Sequence, residues 1–116
     1  MVKQPTSKER VEHVLKAISS IHSFMQQEDL EKFQADIKLQ SAVQYQFLII
    51  GEAIKHVDSE VLDRYKYPWH IPRSFRNFII HAYHGIKLER IYNATQELEE
   101  LKNVLQDILK KEYSIE

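Results

Sequence analysis

Apolar residues recur at three- and four-residue spacing along nearly the whole chain, and little interrupts them. The 116 residues include two glycines and three prolines, and the period-two alternation of a half-buried strand is nearly absent. A chain patterned in this way buries its apolar surface by packing helices side by side. The expectation is an all-α fold, one domain over residues 1–116, built as an up-and-down bundle of four to five helices. The length suffices for one hydrophobic core. No internal repeat or low-complexity segment divides it.

The first helix begins after Pro5, where Thr6 and Glu9 have the spacing of a capping box. Val11, Val14, Leu15, Ile18, Ile21 and Met25 form its stripe. Asp29 suits the cap of a short helical turn carrying Leu30 and Phe33. A second long helix runs from about Asp36 to about Val57. Its apolar residues go nearly all the way round, the pattern of a central, buried helix. Gly51 inside it costs about 1 kcal/mol relative to alanine, so another helix is expected to approach closely there. "DSEVLDRYKYPWHIP" reads as a connector with one short helical piece, since Pro68 and Pro72 limit helix. Pro72 suits the first turn of the next helix, and Gly85 the left-handed position that ends it. The last helix starts near Lys87, with Leu88, Ile91, Tyr92, Leu98, Leu101, Leu105, Ile108 and Leu109 in one stripe.

Composition excludes several function classes. The formal charge of −1 gives no global attraction to nucleic acid, so DNA is not an expected partner and any RNA site must be a local patch. There is no cysteine, hence no disulfide framework and no thiolate metal site. His13, His22 and His56 lack ligand spacing, so neither metal nor cofactor is expected. The N-terminus lacks an apolar signal core and no apolar run is long enough to span a bilayer. A cytoplasmic protein without membrane contact is expected.

The segment "RNFIIHAY", Arg76 to Tyr83, carries the chemistry. At about 100° per residue, Arg76, Asn77, Ile80, His81, Tyr83 and His84 share one side of a helix. Phe75, Phe78, Ile79 and Ala82 share the other, which suits a core. A solvated helix face is usually Glu and Lys, and this one has neither between Arg73 and His84. Arginine offers bidentate phosphate contacts, and histidine exchanges protons near neutral pH. Arg73, Lys87 and Arg90 add positive charge nearby. From spacing alone, two readings stand: a phosphate-handling catalytic face, or a polar helix side with incidental histidines.

The order Arg, four residues, His, one residue, Tyr resembles the signature of the HEPN superfamily, and more narrowly the HepT toxins of HepT/MntA systems. The matching positions are Arg76, His81 and Tyr83, with Asn77 at the polar position after the arginine. "IIGEAIK", "YPWHIPRSFRN" and "HAYHGIKLERIY" extend the similarity over most of the chain. The resemblance implies a metal-independent endoribonuclease toxin of a type VII-like toxin–antitoxin system. It implies a homodimer whose two motif helices line one cleft for RNA. It also implies an MntA-like nucleotidyltransferase antitoxin that adds AMP to Tyr83. In that scheme Arg76 and His81 are catalytic, and Asn77 and Tyr83 support or bind the substrate.

Other residues divide more plainly. Arg73 and His84 are candidate RNA contacts at the edge of the motif, or else surface cations. Trp69 reads as a core or dimer anchor rather than a base-stacking platform. Glu52, next to Gly51 on the apolar helix, reads as a buried carboxylate held by a structural hydrogen bond. The alternative function is a non-catalytic HEPN bundle that binds a nucleotidyltransferase or a nucleotide through a preserved cleft.

Overall fold

The computed structural model describes residues 3–83 and 87–113, with only the backbone at Ala82 and Tyr83. All regular elements among them are helices: α1 (Ser7–Phe24), α2 (Leu30–Ala35), α3 (Ile37–Lys55), α4 (Ser59–Asp63), α5 (His70–Arg73), α6 (Phe75–Tyr83), α7 (Leu88–Thr95) and α8 (Glu99–Glu112). The helical bundle is as expected. The short α2, α4 and α5 raise the number of elements beyond four or five.

Local chemistry sets the starts. The Thr6 N–H donates to Glu9 Oε1 at 2.8 Å and the Glu9 N–H to Thr6 Oγ1 at 3.1 Å, completing the capping box of α1. Asp29 Oδ1 accepts the Lys32 N–H at 2.8 Å, and Asp36 Oδ1 the Leu39 N–H at 3.0 Å, opening α2 and α3. Asp58 caps α4 through the Glu60 N–H at 2.9 Å, while its own N–H donates to Ser7 Oγ at 3.0 Å. That bond ties the start of α4 to the start of α1.

α3 is the central helix, packed against α1, α2, α5 and α6. Val43, Phe47, Ile50 and Ile54 are fully buried on it. The expectation of burial all round is corrected on one stripe. Ile37 is 75% exposed and Tyr45 62%, and Glu52 is exposed rather than buried. Glu52 pairs with His56 Nε2 one turn on, at 2.9 Å. The stripe lies between the flanks that α1 and α6 cover.

The expected single last helix is also corrected. It breaks between Thr95 and Glu99. The Thr95 hydroxyl donates to the Tyr92 carbonyl at 2.6 Å, an oxygen that a continuing helix would offer to the Gln96 N–H. The Gln96 N–H turns instead to the Asn93 carbonyl at 3.0 Å, and Glu97 to Ala94 at 3.2 Å. The bend lets α7 pack on α2 and α6 while α8 packs on α1. Pro72 stands in the separate α5 rather than in the first turn of α6. Gly85 lies outside the described residues. Trp69 is a core anchor: it is 6% exposed, and its indole N–H donates to the Leu62 carbonyl at 2.9 Å.

Candidate active site

α6 is held in one rotational setting by three side chains and one absence. The Phe75 ring meets Phe47 edge-on, with centroids 5.1 Å apart at 87°, and Phe78 meets the same ring at 6.5 Å and 82°. Ile79 is 5% exposed. Opposite them, α3 presents Gly51. A Cβ there would stand 3.2 Å from Phe75 Cβ, 3.3 Å from the Arg76 nitrogen and 3.4 Å from the Pro72 carbonyl oxygen. The close approach expected from Gly51 is therefore to the start of the motif helix itself.

With Phe75, Phe78 and Ile79 turned inward, Arg76, Asn77, Ile80 and His81 are all exposed. Arg76 and His81 are about 140° apart around the axis, five residues at 100° each. Asn77 and Ile80 lie between them. Arg76 falls on the flank toward α3 and His81 on the flank it shares with Ser74 and Phe78. Arg73 is half-buried on α5. The backbone of Tyr83 closes α6, its side chain lies outside the described residues, and so does His84.

The electrostatics are local. Residues 70–90 hold four cations, Arg73, Arg76, Lys87 and Arg90, against the single carboxylate Glu89, in a chain with net charge −1. Among the described residues no carboxylate forms an ion pair with any of the four; the pairs are His56–Glu52, Arg64–Glu112 and Lys111–Asp107. Their donors are available to an anion.

Two surface features beside the helix escaped the sequence reading. A depression of about 310 Å³ between α3 and α6 is lined by Tyr45, Leu48, Ile79 and Ile80, with Ser41 and Gln44. Ile80 is 43% exposed in its wall. On the other flank a groove of about 360 Å³ separates α6 from α7, with Phe75, Phe78 and Ala94 inside and Arg90, Asn93 and Glu97 at the rim. Arg90 had a charge signal. Asn93 and Glu97 had none, since their place in a groove depends on a helix about twenty residues away.

Comparison with known proteins agrees with the family resemblance. Residues 14–108 match the family described as "Ribonuclease HepT-like". "Putative RNase MJ0127" of Methanocaldococcus jannaschii is 28% identical over 101 residues, 82% of this chain and 84% of that protein. "Putative RNase TTE0752" of Caldanaerobacter subterraneus is 29% identical over 109 residues, 92% of this chain and 97% of that one. "Probable ribonuclease HepT" of Thermococcus cleftensis is 31% identical over 91 residues, 78% and 83%. No solved structure matches. Among the described residues no helix is long and apolar enough to cross a membrane. On its sequence, its all-helical fold and these similarities, the chain belongs to the ribonuclease HepT-like family.

Proposed function

We propose that the protein is an endoribonuclease toxin that cleaves RNA without a metal, in a cleft completed by a second copy of the chain. The observation that carries this reading is the locked setting of α6, which turns Arg76, Asn77 and His81 outward together.

In the reaction, the RNA 2′-hydroxyl attacks the adjacent phosphate. One His81 takes the 2′-hydroxyl proton, and the 5′-oxygen leaves with a proton, giving a 2′,3′-cyclic phosphate and a 5′-hydroxyl. Arg76 stabilises the doubly charged phosphorane through its fork of donors. Asn77, one turn from His81, orients the imidazole or the phosphate. Arg73, His84 and Tyr83 contact the RNA backbone. One motif supplies one histidine for proton transfer, whereas a twofold dimer supplies a base and an acid. The exposed Ile80, beside Tyr45 and Leu48, supports such a pairing: an apolar residue amid a polar face fits a surface that another copy covers.

The proposed partner is a nucleotidyltransferase antitoxin of the MntA type, which transfers AMP to the Tyr83 hydroxyl. The adduct brings bulk and negative charge to a phosphate cleft and so excludes RNA. This chemistry belongs to the cytoplasm.

The test is cleavage of RNA by the purified protein in EDTA, beside a His81→Ala variant, with product ends read by mass. Cyclic phosphate ends from wild type and intact RNA from the variant are expected. No cleavage by unmodified wild type across several RNAs, or equal cleavage by the variant, overturns the reading. Intact mass after co-expression with a cognate transferase should rise in AMP steps in wild type and not in Tyr83→Phe.

A further inference from the structure

The groove between α6 and α7 takes no part in the chemistry given to Arg76, Asn77 and His81, yet it opens beside it. Its volume of about 360 Å³ is in the range of small-molecule sites, about 300–1,000 Å³. Phe78 is half-buried in its wall, and the edge-on contact with Phe47 holds that ring still. A fixed aromatic ring beside an open apolar space is the usual setting for an unstacked RNA base. His81 lies three residues beyond Phe78, less than a turn, on the same flank.

The polar rim is graded. Arg90 stands in the first turn of α7, toward the end of α6 that carries His81. Glu97 stands at the opposite end, where the groove continues toward Glu99 and Glu100. Asn93 lies between. Among the described residues none of Arg90, Asn93 and Glu97 has a side-chain hydrogen bond or an ion pair. A nucleotide has a matching grade, with phosphate at one end and the Watson–Crick edge of its base at the other.

A carboxylate only accepts hydrogen bonds. Guanine alone among the RNA bases presents two adjacent donors on that edge, N1–H and the N2 amino group, which one carboxylate meets together. Adenine and cytosine place a ring-nitrogen acceptor beside their amino group, facing the carboxylate lone pairs. Uracil sets one N–H between two carbonyls. We propose that the groove is a base subsite that selects guanine next to the cleaved phosphate, with Glu97 reading the base edge, Phe78 in contact with its face and Arg90 neutralising the adjoining phosphate.

This inference rests on the ribonuclease reading, and a binding assay separates the two. The full chain is titrated with the four nucleoside 3′-monophosphates and followed by calorimetry. Guanosine 3′-monophosphate should bind about tenfold or more tightly than the other three, the discrimination of a bidentate contact to a base edge. Glu97→Gln should abolish that preference. Ala94→Phe, which fills the groove floor, should weaken binding of all four. Equal affinity for the four, or a guanine preference that survives Glu97→Gln, overturns the subsite even where RNA is cut. Guanine-selective binding without RNA cleavage keeps the subsite and overturns the ribonuclease reading. Tighter binding of a lysine-rich peptide than of any nucleotide would assign the groove and its acidic end to a protein partner, and overturn the proposal.

Discussion

Gly51 faces the backbone of Arg76: a Cβ on the glycine would stand 3.3 Å from the Arg76 nitrogen, and 3.2 Å from the Cβ of Phe75. The residue that helix propensity disfavours most after proline thus sets the distance between α3 and the motif helix. Both neighbours are backbone or nearly so, and neither yields by a rotamer change. Gly51→Val should therefore overpack the contact and destabilise the fold by about 1–3 kcal/mol. Urea denaturation measures this. RNA cleavage by the folded fraction should fall as well, because α6 must move away from α3. Unchanged stability would show that α6 is not held there.

The break between α7 and α8 depends on one hydroxyl. Thr95 is 3% exposed and occupies the Tyr92 carbonyl at 2.6 Å. Thr95→Val keeps the shape and removes the donor, so the bend should lose about 0.5–1.5 kcal/mol. The expected readout is a lower urea midpoint, with faster amide exchange concentrated at residues 92–98.

These two positions mark what a sequence discloses. Thr6 and Asp29 were legible as caps because each acts within three residues of itself. Gly51 was legible because no local conformation needs a glycine there, which leaves close approach as the reason. Thr95 was not, since it sits at stripe spacing between Tyr92 and Leu98, and spacing alone does not show that its hydroxyl takes the Tyr92 carbonyl. Glu52 was misread because an apolar pattern round α3 does not say which stripe its neighbours leave open. The outward set Arg76, Asn77 and His81 was readable from helical spacing, whereas the groove at Asn93 and Glu97 joins two helices and leaves no periodic trace.

Glu112 makes acid a probe of how α8 is fastened. Its Oε1 accepts from Arg64 at 2.9 Å and its Oε2 from the Tyr65 hydroxyl at 2.9 Å. The Arg64 hydrogen bond, with that from Tyr65, holds the carboxyl below its usual value. Its stabilising contribution is therefore complete above the unfolded carboxylate pKa, and is lost as pH falls through the lower folded value. Tyr65 behaves in the opposite sense: desolvation and the bond to Glu112 raise its pKa, so its contribution disappears only as alkaline pH passes that value. Glu112→Gln should lower the melting temperature at pH 7. The gap between variant and wild type should narrow as the pH drops through the acid range. A gap independent of pH would mean that the carboxylate charge plays no part.

Arg76 separates stability from chemistry. It is exposed and, among the described residues, has no carboxylate partner, so Arg76→Ala should change folding stability by no more than about 0.5 kcal/mol. Loss of a preorganised donor to developing charge typically lowers turnover by about 10²–10³-fold, and the same loss is expected here for cleavage in EDTA. Arg76→Lys is the sharper variant. It keeps the positive charge but not the planar fork that spans two phosphate oxygens. If bidentate contact to the phosphorane is the role, lysine should recover RNA binding, measured with a substrate blocked at the 2′-hydroxyl, while the cleavage rate stays near that of alanine. Full recovery of rate by lysine would reduce Arg76 to a point charge that attracts RNA, and the stabilisation of the phosphorane would have to come from elsewhere in the cleft.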